Sequence, residues 1–155
     1  MIGAAQYAAA LDRVLALVVL LDDDMTRSLA RDGLTVSRAH LLWELRRQGP
    51  LTQRALADAL SVSARNVTGL VDGLAAAGLV SREAHPSDRR ATLVTPTAHG
   101  TEVVRAMERD QETLGRLLFA DMPPERVAAF IATLDEILGK LHAAGVTRQP
   151  EEQPS

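Results

Sequence analysis

The sequence predicts a mainly α-helical fold with one small β-hairpin, and three observations carry that prediction. Apolar residues recur at steps of three and four through both ends of the chain, the spacing of a helix face. Between those ends lie two short helical stretches, each opened by a hydroxyl residue and joined by a three-residue turn. After Gly78 the apolar period drops from 3.6 to 2, the signature of strands.

The N-terminal stripe consists of Tyr7, Leu11, Val14, Val18, Leu21, Met25 and Leu29. Leu15, Leu17, Val19 and Leu20 add apolar surface outside it. A helix apolar on more than one side needs more cover than one small core supplies, so a partner chain is expected. A helix from Thr97 with Val103, Val104, Met107, Leu114, Leu117 and Leu118 mirrors it at the other end. Asp121-Met122-Pro123-Pro124 breaks that helix, because proline cannot continue a helix but can begin one. A last helix carries Val127, Phe130, Ile131, Leu134, Ile137, Leu138 and Leu141 on one stripe. Residues 1–30 and 97–145 are therefore expected to form a dimerisation region and 31–96 a separate functional core. The polar, proline-containing 146–155 is expected to be a disordered tail.

In the central zone, a helix over 35–47 with Leu41, Leu42 and Leu45 inward ends at Gly49-Pro50. Thr52 then caps Gln53–Leu60, with Ala55, Leu56, Ala59 and Leu60 expected inward. Ser61-Val62-Ser63 forms the turn, and Ser63 caps a further helix running to Ala77, where Gly78 stops it. Two short helices across a tight turn form a helix-turn-helix. At about 100° per residue, Val67, Leu70, Val71 and Leu74 share one narrow face and must pack inward. Arg65, Gly69, Asp72 and Ala76 point the opposite way, with Asn66, Thr68 and Gly73 at the flanks.

That outward face suits duplex DNA. Arginine reads guanine and asparagine reads adenine through paired hydrogen bonds, each discriminating by about 1–3 kcal/mol. Gly69 lacks a side chain and would let backbone and DNA approach closely. Asp72 would be repelled by phosphate, so a neighbouring arginine is its expected partner. Leu79–Arg82 and Ala91–Val94 read as strands joined through His85-Pro86-Ser87-Asp88, a hairpin whose tip carries Asp88, Arg89 and Arg90. Arginine benefits from the negative potential of a narrow minor groove, where a nearby carboxylate can hold it in position. The alternative is an Asp–Arg clasp that only stiffens the hairpin.

The run from Ser63 to Gly100 resembles the MarR family, the multiple antibiotic resistance regulators. VTGLVDGLAAAGLV and HPSDRRA carry the likeness, together with Leu34-Thr35, Gly49-Pro50-Leu51-Thr52 and the helical termini. The resemblance implies a winged helix-turn-helix regulator, a homodimer that binds double-stranded DNA; repression by occluding a promoter is expected to follow, with activation as the alternative. It places Ser63, Arg65, Asn66, Thr68 and Gly69 on the recognition helix, and Thr52 and Arg54 near phosphate. It also implies that Arg90 enters the minor groove, that Asp88 orients it, and that Arg89 meets backbone or groove edge. A small effector, often phenolic or lipophilic, is implied in a crevice between the dimer helices and the winged domain, with His40, Trp43 and Arg13 as candidate lining groups. Pro96 departs from the family pattern and is expected to end the strand early.

Charge and composition narrow the rest. The net charge of −3 divides into +3 over residues 31–100 and −6 elsewhere, a basic centre on an acidic frame. With no cysteine, disulfides, thiolate zinc sites and thiol redox sensing are excluded. Val14–Leu21, bracketed by Arg13 and Asp22-Asp23-Asp24, is read as too short to span a bilayer, which points to a cytoplasmic protein with no membrane partner. His40, His85, His99 and His142 show no metal-ligand spacing and there is no phosphate loop, so neither an enzyme nor a cofactor is expected. The competing reading is a winged helix turned to protein–protein interaction, which would prefer an apolar centre where this chain has Arg65, Asn66 and Thr68.

Overall fold

The computed structural model describes residues 3–146, and beyond Val146 the expected tail lies outside them. Helices and strands follow in the order α1 (Ala4–Arg31), α2 (Val36–Gln48), β1 (Leu51–Thr52), α3 (Gln53–Leu60), α4 (Ala64–Ala76), β2 (Val80–Ala84), β3 (Thr92–Pro96), α5 (Ala98–Phe119) and α6 (Pro124–Ala143).

Capping chemistry sets the helix starts. The side chains of Thr35, Thr52, Ser63 and Thr97 each accept a hydrogen bond from a backbone amide three residues on, opening α2, α3, α4 and α5. Gly78 ends α4 at φ +73°, which lets the Leu79 amide donate back to the Leu74 carbonyl at 2.9 Å. Pro124 starts α6 at its first turn, as the break in the sequence requires.

The core is built from α2, α3, α4 and the sheet. Leu41, Leu42, Leu45, Leu56, Val67, Val71, Leu74, Val94 and Val104 are all fully buried. Each contributes about 1.5–3 kcal/mol by leaving water. The inward face of α4 is the expected one, Val67, Leu70, Val71 and Leu74. On α3 the buried pair is Leu56 and Ala57, and Ala59 is exposed. Leu56 and Leu60 face the core as expected, and Ala57 takes the inward place expected of Ala59.

The sheet is antiparallel in the order β1-β3-β2. β1 was not expected; its two residues pair Leu51 with Val94 and Thr52 with Leu93. β3 also runs through Pro96, which pairs with Val80, so the proline does not shorten the strand. β1 pairs no further than Val94, and on that side Pro96 has no strand to which its missing amide would donate.

The terminal helices are built differently. Leu29 is the one buried residue of α1, and α6 buries none. Leu20 is 68% exposed, Ile131 54% and Leu117 80%, so apolar faces are left uncovered by the chain's own fold. α1 is also long and apolar enough to cross a membrane by length and composition, with a mean hydropathy of 1.6 over its best window. The alanines before Val14 lengthen the apolar run beyond Val14–Leu21, and Asp12 and Arg13 interrupt it. Phe119 near the end of α5 and Phe130 on α6 are in ring contact, their centroids 5.9 Å apart.

Candidate nucleic-acid interface

The site begins with the turn between α3 and α4. Ser61 adopts a left-handed backbone at φ +54°, and the Val62 amide returns to the Ala57 carbonyl at 3.0 Å. This sets α4 across α3 with its inner face sealed and its outer face in solvent. Arg65, Thr68, Gly69 and Asp72 are exposed and Asn66 is half-buried. An added Cβ at Gly69 would meet nothing within 4 Å, so this position is open to an approaching surface.

Several site residues have work inside the fold. The Ser63 hydroxyl accepts from the Asn66 amide at 3.1 Å, and Thr52 accepts from the Ala55 amide at 3.2 Å. Thr68 donates to the Ala64 carbonyl at 2.9 Å and accepts from the Gln53 side-chain amide at 3.0 Å. Arg54 and Arg65 stand exposed on the first turns of α3 and α4.

Asp72 has the arginine partner expected of it. Arg82 on β2 donates through Nη2 to Asp72 Oδ1 at 2.5 Å, and through Nε to Gln53 Oε1 at 3.2 Å. One guanidinium therefore ties α3, α4 and the hairpin together, and it neutralises the carboxylate on the outer face of α4. Sequence reasoning foresaw the need for a cation but missed Arg82 and Gln53. The signal was the two-residue alternation of the strand, which puts Arg82 and Val80 on one side.

Arg38 was missed as well. An added Cβ at Gly73 would overlap its guanidinium, so Arg38 of α2 lies directly against the flank of α4.

The hairpin tip differs in detail from expectation. Asp88 Oδ1 accepts from the backbone amide of Arg90 at 3.0 Å, and the Asp88 carbonyl accepts from the Ala91 amide at 3.1 Å. Among the described residues the Asp88 carboxylate makes no ion pair with Arg89 or Arg90. It orders the turn through the backbone, and both guanidinium groups project into solvent.

A cavity of about 470 Å³ opens where α1, α2 and α5 meet. Met25, Leu29, Trp43, Met107 and Leu114 form its apolar wall. Its polar lining is Asp24, Ser28, His40, Asp110 and Gln111. His40 and Trp43 thus line this crevice. Arg13 does not; its guanidinium turns back to the Ala9 carbonyl at 2.6 Å. One turn beyond His40, the carboxyl of Glu44 is held below the usual range, first by the hydrogen bond from Arg47 and then by that from Gln48.

A capped helix-turn-helix followed by a short antiparallel hairpin defines a winged helix-turn-helix protein. Residues 34–92 match the model of the MarR family. It is 34% identical over 79 residues to ML2140, an uncharacterised HTH-type transcriptional regulator of Mycobacterium leprae, covering 51% of this chain and 55% of that protein. Across three curated relatives the match spans 42% to 62% of their own lengths. The transcriptional regulator Tm0710 of Thermotoga maritima superposes with a TM-score of 0.60 at 26% identity, over 90% of this chain and 99% of that one. The S. aureus MepR–DNA complex superposes with a TM-score of 0.67 at 24% identity, over 86% and 98%.

Proposed function

We propose that this protein is a homodimeric transcription regulator, acting as a repressor, that binds double-stranded DNA with α4 in the major groove and the β2–β3 wing in the adjacent minor groove. The observation that carries the reading is the division of α4. Its apolar half is sealed, and its outer half keeps Arg65, Thr68 and Gly69 exposed while Asp72 is neutralised by Arg82. A surface so arranged attracts phosphate and can reach base edges. The fold it shares with MepR, a protein solved on DNA, supports the same reading.

In this proposal Arg65 and Asn66 read bases, while Thr52, Arg54 and Ser63 sit near phosphate at the helix starts. Arg90 enters the minor groove, Arg89 meets its edge, and Asp88 sets their direction by fixing the turn. Residues 31–96 form the reading head and the terminal helices join two copies. The uncovered apolar faces of α1 and α6 support that second role, because contiguous apolar surface on a water-facing helix calls for cover. A small-molecule effector in the α1–α2–α5 cavity would then shift the spacing of the two heads, a coupling between distinct sites.

The test is a titration of the purified protein against duplex DNA at several salt concentrations, beside sedimentation equilibrium. The proposal requires a dimer whose affinity falls steeply as salt rises. A monomer, or salt-independent binding, opposes it. A face built for protein partners would instead leave duplex DNA unbound.

A further inference from the structure

We infer that the cavity between α1, α2 and α5 selects a lipophilic organic cation over an anion of the same shape. The inference rests on reading that cavity as a ligand site, and it concerns the charge of what fits. At about 470 Å³ the space suits a drug-sized molecule. Its wall of Trp43, Met25, Met107, Leu29 and Leu114 favours an apolar body, and methionine adapts to irregular shapes.

The charges in the lining are one-sided. Asp24 on α1 and Asp110 on α5 are the acidic side chains, and neither lysine nor arginine is among the lining residues. Asp110 accepts one hydrogen bond, from the Ser28 hydroxyl at 3.3 Å, which offsets none of its charge. The arginines nearest in sequence are engaged elsewhere. Arg109 pairs with Glu102 at 3.0 Å, and Arg46 pairs with Glu108 at 3.2 Å. Arg27 and Arg31, further along α1, stand outside the lining. His40 is the basic side chain among the lining residues.

An anion in this space would approach two carboxylates with no guanidinium or ammonium to meet it. A cation there has both carboxylates as counter-charges and the indole of Trp43 as an aromatic wall, which attracts cations through its ring quadrupole. A phenolate or aryl carboxylate is therefore the wrong sign for this cavity.

Tetraphenylphosphonium and tetraphenylborate give the test, since they share a shape and differ in sign. Trp43 is the single tryptophan of the chain and lines the cavity, so its fluorescence reports binding at this place. The phosphonium ion is expected to bind saturably and at least about tenfold more tightly than the borate, the size of two partly screened charge contacts. Both carboxylates are exposed, so the Asp24→Asn, Asp110→Asn double variant keeps the fold, which circular dichroism verifies. It should lose about tenfold in phosphonium affinity and most of the preference. Borate binding as tight as phosphonium overturns the inference, as do a preference unchanged in the double variant and no response of Trp43 to either ion. Selective binding of operator DNA by a protein indifferent to both ions sinks this inference alone; phosphonium selectivity without DNA binding sinks the proposed function alone.

Discussion

Asp72 on α4 and Arg82 on β2 are joined at 2.5 Å, and the same guanidinium reaches Gln53 on α3. The three elements that a winged helix must hold in fixed relation thus meet at one side chain. Arg82 is 35% exposed and Asp72 61%, so the pair adds little to stability, about 0–1 kcal/mol after screening. Its consequence lies in positioning. Arg82→Ala should leave the melting temperature within a few degrees yet weaken DNA binding, as α4 and the wing lose their common tie. Differential scanning calorimetry with anisotropy titrations checks both, and a large stability loss with unaltered DNA affinity would contradict it.

The wing arginine should act on affinity without regard to sequence. Arg90→Ala is expected to weaken binding to all duplexes and to reduce the slope of log affinity against log salt by roughly 1. The same titration with Arg65→Ala should instead cost about 1–3 kcal/mol at a few base pairs and relax preference there. Uniform weakening on that substitution would reassign Arg65 to phosphate.

Gly100 is predicted to be intolerant of any side chain. An added Cβ would overlap the backbone carbonyl oxygen of Leu79, where the first turn of α5 packs against the start of the wing. Gly100→Ala should destabilise by about 1–3 kcal/mol or more, since the backbone must shift. Gly73→Ala is the matched control. There the overlap is with the movable guanidinium of Arg38, and alanine gains up to about 1 kcal/mol of helix propensity. Urea unfolding of both variants separates them, and equal losses would be inconsistent with this packing.

Among the described residues, Thr95 on β3 carries a buried hydroxyl with no hydrogen-bond partner. Thr95→Val keeps the shape and removes the stranded group, so it should stabilise the protein by about 1 kcal/mol. A lower melting temperature for that variant would mean that the hydroxyl has a partner in solution.

The core helices were legible because their faces are long and unmixed. Four apolar residues of α4 recur at helical spacing, and all four are buried. The caps at Thr52 and Ser63 were legible because a hydroxyl at a helix start has one strong use. What escaped was set by partners distant in sequence. β1 is two residues long and exists only through β3. The tie from Arg82 to Gln53 spans 29 positions, and the packing of Arg38 on Gly73 depends on how two helices cross. The link from Asp88 to the Arg90 backbone stands where a side-chain pair was expected, because the Arg90 amide lies only two residues along the chain.

The central claim, that two copies of this chain read DNA together, is tested most directly by selecting bound sequences from random duplex DNA with the purified protein. The account predicts an inverted repeat whose half-sites lie about one helical turn, roughly 34–36 Å, apart. No enriched sequence from a folded dimer, or a lone half-site bound by a monomer, would contradict it.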